Sequence, residues 1–168
     1  MFETEAQLDG LQALIDASFA NAGAHLLSIS RPDRRLSARQ VATLLQGTRH
    51  VAFATVTSKG EPRVAPLDGL FLWGRFHVGT DGRSLRARHL RRNPNVSLTH
   101  FQGDDFSIVV HGRATIIEKG DADADAIDAV WREIYKMSAF DLAENVIFAR
   151  VEPTHMFTFA QDPSKFPE

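Results

Sequence analysis

The stretch DGRSLRARHLRRNP, residues 81–94, places five arginines and one histidine in fourteen positions of a chain whose formal net charge is −2. These residue types at this spacing describe an anion site. Ser84 is an N-cap for a helix expected from Leu85 to Asn93, and Pro94 ends it by disfavouring helical geometry at the residue before it. The first amides of such a helix have no internal partner, and they and the helix dipole both favour an anion. Arg86 lies in that first turn, where a cation is unfavourable unless an anion is present. A bound phosphate or carboxylate resolves the conflict. Arg83 stands just before the helix and Arg88 further along it. Arg91 and Arg92 read as a solvated basic face, and Leu85 and Leu90 as the core-facing residues.

No other segment carries a complete chemical motif. GTDGRS lacks the full GxGxxG and sits among strands that read as antiparallel, so it is not a dinucleotide loop. DADADAID has Ala126 where a calcium loop needs glycine and Arg132 where it needs glutamate, and it reads as a helix N-terminus. There is no Walker loop and no G-x-S-x-G. His25, His50, His77, His89, His100, His111 and His155 form no HxH or HxxxH pair, so no metal site is expected. His100 and His111 fall on adjacent expected strands, where one could face a pocket as a haem ligand would. Trp73 and Trp131 read as packing residues.

The elements that must hold the arginine helix follow from periodicity. Residues 4–22 carry a broad apolar stripe and read as a helix. Residues 28–35 look like a loop. In SARQVATLLQG, Ser37 and Gln40 form a capping-box pattern and Gly47 a stop. Strands are expected at 50–57, 62–73 and 76–80, joined by SKGE and by Gly74–Arg75. Pro66 and Gly69 suggest a bend or bulge in the second. After the arginine helix come strands at 95–101 and 106–118, a helix over 120–138 with acidic residues in its first turns, and two more strands, NVIFARVEP and THMFTFAQ. About six or seven antiparallel strands with three or four helices point to a β-barrel with helical decoration.

The totals set the outer bounds. At 168 residues and 43% hydrophobic content, one domain with a real core is expected. The absence of cysteine removes disulfides, thiolate ligands and thiol nucleophiles. The mildly acidic balance gives no global attraction to nucleic acid or anionic membrane. MFETEAQLDG has no apolar core of a signal peptide, and no apolar run approaches a membrane span, so a cytoplasmic protein is the expectation.

Residues 50–100 followed by FSIVVHGRATII resemble the pyridoxamine 5′-phosphate oxidase-like split β-barrel proteins. The marks are T-x-x-G-x-P-x-V-x-P from Thr57 toward the second strand, the strand ending in Thr80, S-x-R at 84–86, L-x-x-N-P-x-V-S-L, and V-x-G-x-A at 110–114. The resemblance covers about residues 37–160, leaving residues 1–36 as an N-terminal helical extension and 37–168 as the split-barrel domain. It implies a mainly β fold, a split β-barrel of about six antiparallel strands with peripheral helices. It also implies a homodimer with a flavin-type cofactor at the interface. Ser84 and Arg86 match positions that hold the cofactor phosphate, lysine being more usual at the second. Arg63, Val64, Ala65 and Pro66 match the strand lying along the cofactor. Gly79 and Thr80 match the strand end beneath the phosphate, and Ser107 a position that can reach the partner's ring.

The chain departs from true pyridoxamine phosphate oxidases at its end, FAQDPSKFPE, which lacks their substrate-binding arginine motif, so that substrate is not expected. The arginine-rich helix looks more like the branch using the deazaflavin coenzyme F-420, whose anionic tail would suit Arg83 and Arg88; FMN remains open. The expected activity is reduction of a small organic substrate by hydride transfer, with the cofactor doing the chemistry. No side chain is marked as general acid, and water could supply the proton. Two other classes stay open: a non-catalytic flavin-binding or stress-related split barrel, and a nucleic-acid module built on the arginine helix. Against the latter, the basic residues are not interleaved with aromatics.

Overall fold

Six strands close into one antiparallel barrel in the order β1–β2–β3–β6–β5–β4 in the computed structural model, which describes residues 1–168. They are β1 (Thr48–Val56), β2 (Pro62–Leu72), β3 (Arg75–Asp81), β4 (Asn95–Gln102), β5 (Phe106–Ile117) and β6 (Val146–Ala160). The five α-helices are α1 (Glu5–Ala20), α2 (Ala24–Ile29), α3 (Ala38–Leu44), α4 (Leu85–Arg92) and α5 (Ala124–Tyr135). The Ser37–Gln40 capping box forms as read, and a second one, Thr4 with Gln7, starts α1.

Period-two alternation produces the barrel core. Phe53, Phe71, Phe76, Val78, Leu98, Ile108, Val110 and Ala149 are buried in one cluster, and Leu8, Leu11, Ile15 and Phe19 of α1 join it. The alternate residues Leu70, Leu72 and Phe148 are buried with Ile127, Val130 and Trp131 of α5 in a second cluster. These strands therefore bury both faces where α5 covers them.

Three expectations are corrected. β2 has no bulge: its ladder with β1 runs unbroken from Val56↔Pro62 to Thr48↔Leu70. Pro66 is tolerated because β2 pairs with β3 only over Gly69–Leu72, so its missing N–H faces no second neighbour. The two final strands are one, β6, and the bulge lies between His111 and Gly112 of β5 where Pro153 passes. A Cβ at residue 112 would collide with the Glu152 carbonyl, so the glycine admits the close approach. The β2–β3 turn is Trp73–Gly74, not Gly74–Arg75; both have positive φ, 55° and 76°, which suits the twist of a two-residue hairpin.

The partial pairing of β2 matters for function. Beyond Gly69↔Val78, residues 62–68 stay with β1, while Gly79–Asp81 stay with β6. The barrel wall splits there. Helix α4 follows β3 directly and sits at the mouth of the split. No helix is long and apolar enough to cross a membrane.

Candidate cofactor site

At the N-terminus of α4, the Ser84 hydroxyl accepts from the Ala87 amide at 3.1 Å, as an N-cap should. Thr80, at the end of β3, places its Oγ1 3.4 Å from Ser84 Oγ, and Arg86 Nη1 donates to that Thr80 oxygen at 2.9 Å. Ser84, Thr80 and Arg86 are half-buried. Arg86 meets no carboxylate. Burial pushes its pKa below the ordinary arginine value. A desolvated guanidinium with only a neutral hydroxyl for company carries an uncompensated charge. Two hydroxyls, the free amides of α4 and this cation make a donor set suited to a phosphate.

Gly79 supports the cradle from below: a side chain there would touch the Trp131 ring at 3.6 Å. Helix α4 is held to the barrel by Ala87 and Leu90, both buried, and by a 3.0 Å contact between His89 Nδ1 and Thr55 Oγ1. Leu85 is 64% exposed, contrary to the core-facing expectation. Residues 87 and 90 share a helical stripe and residue 85 lies off it.

The five arginines of the stretch divide by partner. Arg83 turns away from the cradle, its guanidinium 3.8 Å from Asp81 and 3.6 Å from Glu144. Arg91 is not a merely solvated cation: it donates to the Gly82 carbonyl at 2.6 Å and pairs with Glu118 at 3.3 Å. Arg88 and Arg92 make no ion pair. With Leu85, His89 and Arg91, and with Thr57 and Ser58 of the β1–β2 turn, they line a surface groove of about 630 Å³. Arg83 and Arg88 are thus not brought together.

Arg63–Pro66 occupy the half of β2 that lacks a second neighbour, with Arg63 opposite Thr55 and Pro66 opposite Ala52. Arg63 pairs with Glu61 at 2.7 Å. Val64 is 69% exposed and Phe101, on β4, 59%. They border an apolar cavity of about 450 Å³ with His50, Ala52, Ala65, Pro66 and Thr99. Ser107 pairs with Phe101 at the far end of the sheet from α4, so one chain does not bring it to the cradle. His100 and His111 are also apart: His100 Nδ1 contacts the His50 carbonyl, and His111 Nδ1 contacts Ser97 Oγ.

Among solved structures, the conserved hypothetical protein Rv2991 from Mycobacterium tuberculosis superposes with a TM-score of 0.68 at 21% identity, covering 83% of this chain and 94% of that one. An FAD-binding protein from Mesorhizobium loti gives 0.59 at 23% identity, covering 73% and 92%. A structure described as an F-420 reductase gives 0.52 at 18% identity, covering 67% and 92%. No curated protein matches the chain. At these identities the likeness is one of fold. The family model described as pyridoxamine 5′-phosphate oxidase matches residues 37–158, from the cap of α3 almost to the end of β6. The chain belongs to the pyridoxamine 5′-phosphate oxidase-like family of split barrels.

Proposed function

We propose that the protein is a flavin- or deazaflavin-dependent oxidoreductase that reduces a small organic molecule, with coenzyme F-420 favoured over FMN. The carrying observation is Arg86, half-buried, aimed at Thr80 and Ser84, and without a carboxylate. A cofactor phosphate supplies the missing anion. Thr80, Ser84 and the first amides of α4 would hold its oxygens and Arg86 its charge. Arg88 and Arg92, unpaired along the adjoining groove, suit the longer anionic tail of F-420 better than the short chain of FMN. Residues 63–66 would lie along the cofactor and exclude water from one side.

When bound, such a cofactor supplies two electrons as hydride. The protein's part is to fix its phosphate, present the apolar outer face of β1, β2 and β4 to the reacting partner, and keep the site dry. That same face, with Val64 and Phe101 uncovered, is where a second copy of the chain would sit and bring its own Ser107 toward the site. Relatives of this fold described as an F-420 reductase and as an FAD-binding protein support the reading.

The test is separate titration of the purified protein with FMN and F-420, followed by tryptophan fluorescence. Saturable binding of either supports the proposal, and tighter binding of F-420 supports the preference. Binding of neither overturns it. Salt-sensitive retention of RNA without cofactor affinity would instead favour a nucleic-acid module.

A further inference from the structure

The apolar cavity beside residues 64–66 has one titratable wall, His50. His50 and Asp68 are direct partners in the β1–β2 ladder, so both project on the same outer face. His50 Nε2 lies 3.3 Å from Asp68 Oδ1. The other oxygen of Asp68 accepts from the Tyr135 hydroxyl at 2.9 Å, which reaches over from the last turn of α5. Tyr135 is itself stacked on Trp131 with centroids 4.2 Å apart, so its hydroxyl is not free to wander. Tyr135, Asp68 and His50 thus lie in line, the first two joined by a hydrogen bond and the last two by an ion-pair contact. Nδ1 of His50 makes no hydrogen bond within the protein, and the side chain is 84% exposed. The remaining charged or titratable neighbours are Arg49, which precedes it on β1, and His100, whose Nδ1 contacts the His50 carbonyl.

One ring nitrogen beside a carboxylate and the other without a partner, on a side chain that lines an apolar cavity, is the arrangement of a general acid–base histidine with its orienting group. We infer that His50 is the proton donor for the reduction, through Nδ1, with Asp68 and Tyr135 as positioning residues. The inference rests on the proposed cofactor reading and adds to it the group that handles the proton. It also narrows the substrate to molecules whose reduction places charge on an oxygen, such as an α,β-unsaturated ketone. A bound reduced flavin or deazaflavin would supply the hydride, with its electron pair, to the β-carbon, and the carbonyl oxygen would take the electron density displaced. His50 then gives its Nδ1 proton to that oxygen: the N–H bond breaks, the O–H bond forms, and the enol relaxes to the saturated ketone. Water returns the proton to His50.

The test has two arms. In the cofactor-free protein, the His50 ring-nitrogen resonances are recorded by NMR at one pH in wild type and in Asp68→Asn. A changed Nδ1 and Nε2 pattern is expected in the variant, because the carboxylate holds a proton on Nε2. Identical patterns overturn the coupling. In the second arm, wild type and His50→Gln are loaded with reduced F-420 and, in parallel, FMN, and cofactor oxidation by 2-cyclohexen-1-one or menadione is followed across pH. The expected result is unchanged cofactor affinity, a rate lowered about 10²-fold in His50→Gln, and loss of the basic limb of the pH profile. Equal rates and profiles with cofactor bound overturn the inference while leaving the cofactor reading intact. Bound cofactor with neither probe reduced by wild type overturns it too. Absence of cofactor binding overturns the parent reading, which the affinity measurement shows by itself.

Discussion

Two regions flank the split in the barrel and treat buried charge in opposite ways. Beneath α5, Asp128 is almost fully buried, yet both of its oxygens are occupied: it accepts from Arg132 Nε at 2.7 Å, from Ser138 Oγ and from the Ala139 amide at 2.7 Å. Burial pushes its carboxyl up, but the hydrogen bonds from Arg132, Ser138 and Ala139 outweigh it and hold the group below the ordinary aspartate value. At the head of α4, Arg86 is half-buried and has only the Thr80 hydroxyl. The first charge is complete within the chain; the second has no counter-ion within it, which is what the proposed cofactor phosphate would supply. A buried charge with every partner in place reports on architecture, and one lacking its counter-ion reports on a ligand.

Asp128→Ala breaks the comparison from the architectural side. It strands the Ser138 hydroxyl and the Ala139 amide, and urea unfolding should show a loss of about 3 kcal/mol. Cofactor affinity of the folded protein should stay within about twofold, because the contacts removed are not shared with the cradle. A parallel loss of affinity would mean that the two regions form one coupled unit. Arg86→Ala is the reciprocal test. Stability should change by under about 0.5 kcal/mol, since no ion pair is lost. Affinity for FMN or F-420 should fall about 30-fold, or about 2 kcal/mol, with Arg86→Lys recovering part of it. Equal losses in both quantities would show that Arg86 is structural.

His77 sharpens the contrast by pH. It is 1% exposed on β3, packed edge-on against Trp73, and neither ring nitrogen has a partner. Burial first, then the nearby Arg150, lower its pKa to about 4, from which it follows that it folds neutral. The unfolded chain takes up a proton near pH 6.5, before the folded one does. The contribution of this residue is therefore fully present above pH 6.5 and is lost as pH falls toward 4. Between pH 6.5 and 4.5 urea unfolding should lose about 2 kcal/mol, and His77→Leu should remove that part of the slope. Unlike Arg86, His77 is fully buried with no open side, so its missing partners do not mark a site; addition of phosphate or cofactor should leave the slope unchanged.

How much of this was legible depends on whether the information is local. The Ser84 cap and the anomalous Arg86 follow from a single helical turn, and both stand where the sequence places them. The capping box of α3, the arginine helix and the antiparallel strands are equally local. Sequence alone misplaces the bulge because Pro66 and Gly69 look alike as breakers in one dimension. Which one disturbs a ladder depends on whether a neighbouring strand is present, and that is set by where β3 stops pairing. Sequence alone divides β6 in two because its Pro153 is accommodated by Gly112, forty-one residues earlier. The pairing of His50 with Asp68 was within reach: a turn centred on Ser58–Gly60 puts residues summing to 118 opposite each other. The third member, Tyr135, comes from a helix sixty-seven residues beyond Asp68, and no spacing announces it.

The smallest expected effect decides how the arginine stretch is divided. Arg91 and Arg92 are neighbours of identical type, and sequence alone assigns both to a solvated face. Arg91 spans from α4 to the turn that carries Gly82, donating to its carbonyl, and then to Glu118 at the end of β5. It therefore fastens the helix to the strands on either side of the proposed phosphate cradle. A charged hydrogen bond to a backbone carbonyl outweighs a half-exposed ion pair, so Arg91→Ala should lose about 1 kcal/mol in urea unfolding. Loosening the start of α4 should also weaken cofactor binding severalfold, although Arg91 touches no phosphate position. Arg92 has no partner to lose. Arg92→Ala should leave stability unchanged and weaken F-420 more than FMN, because only the longer anion reaches along its groove. Equal effects of the two substitutions on both cofactors would return Arg91 and Arg92 to a single solvated face and leave Arg88 as the groove's one functional cation.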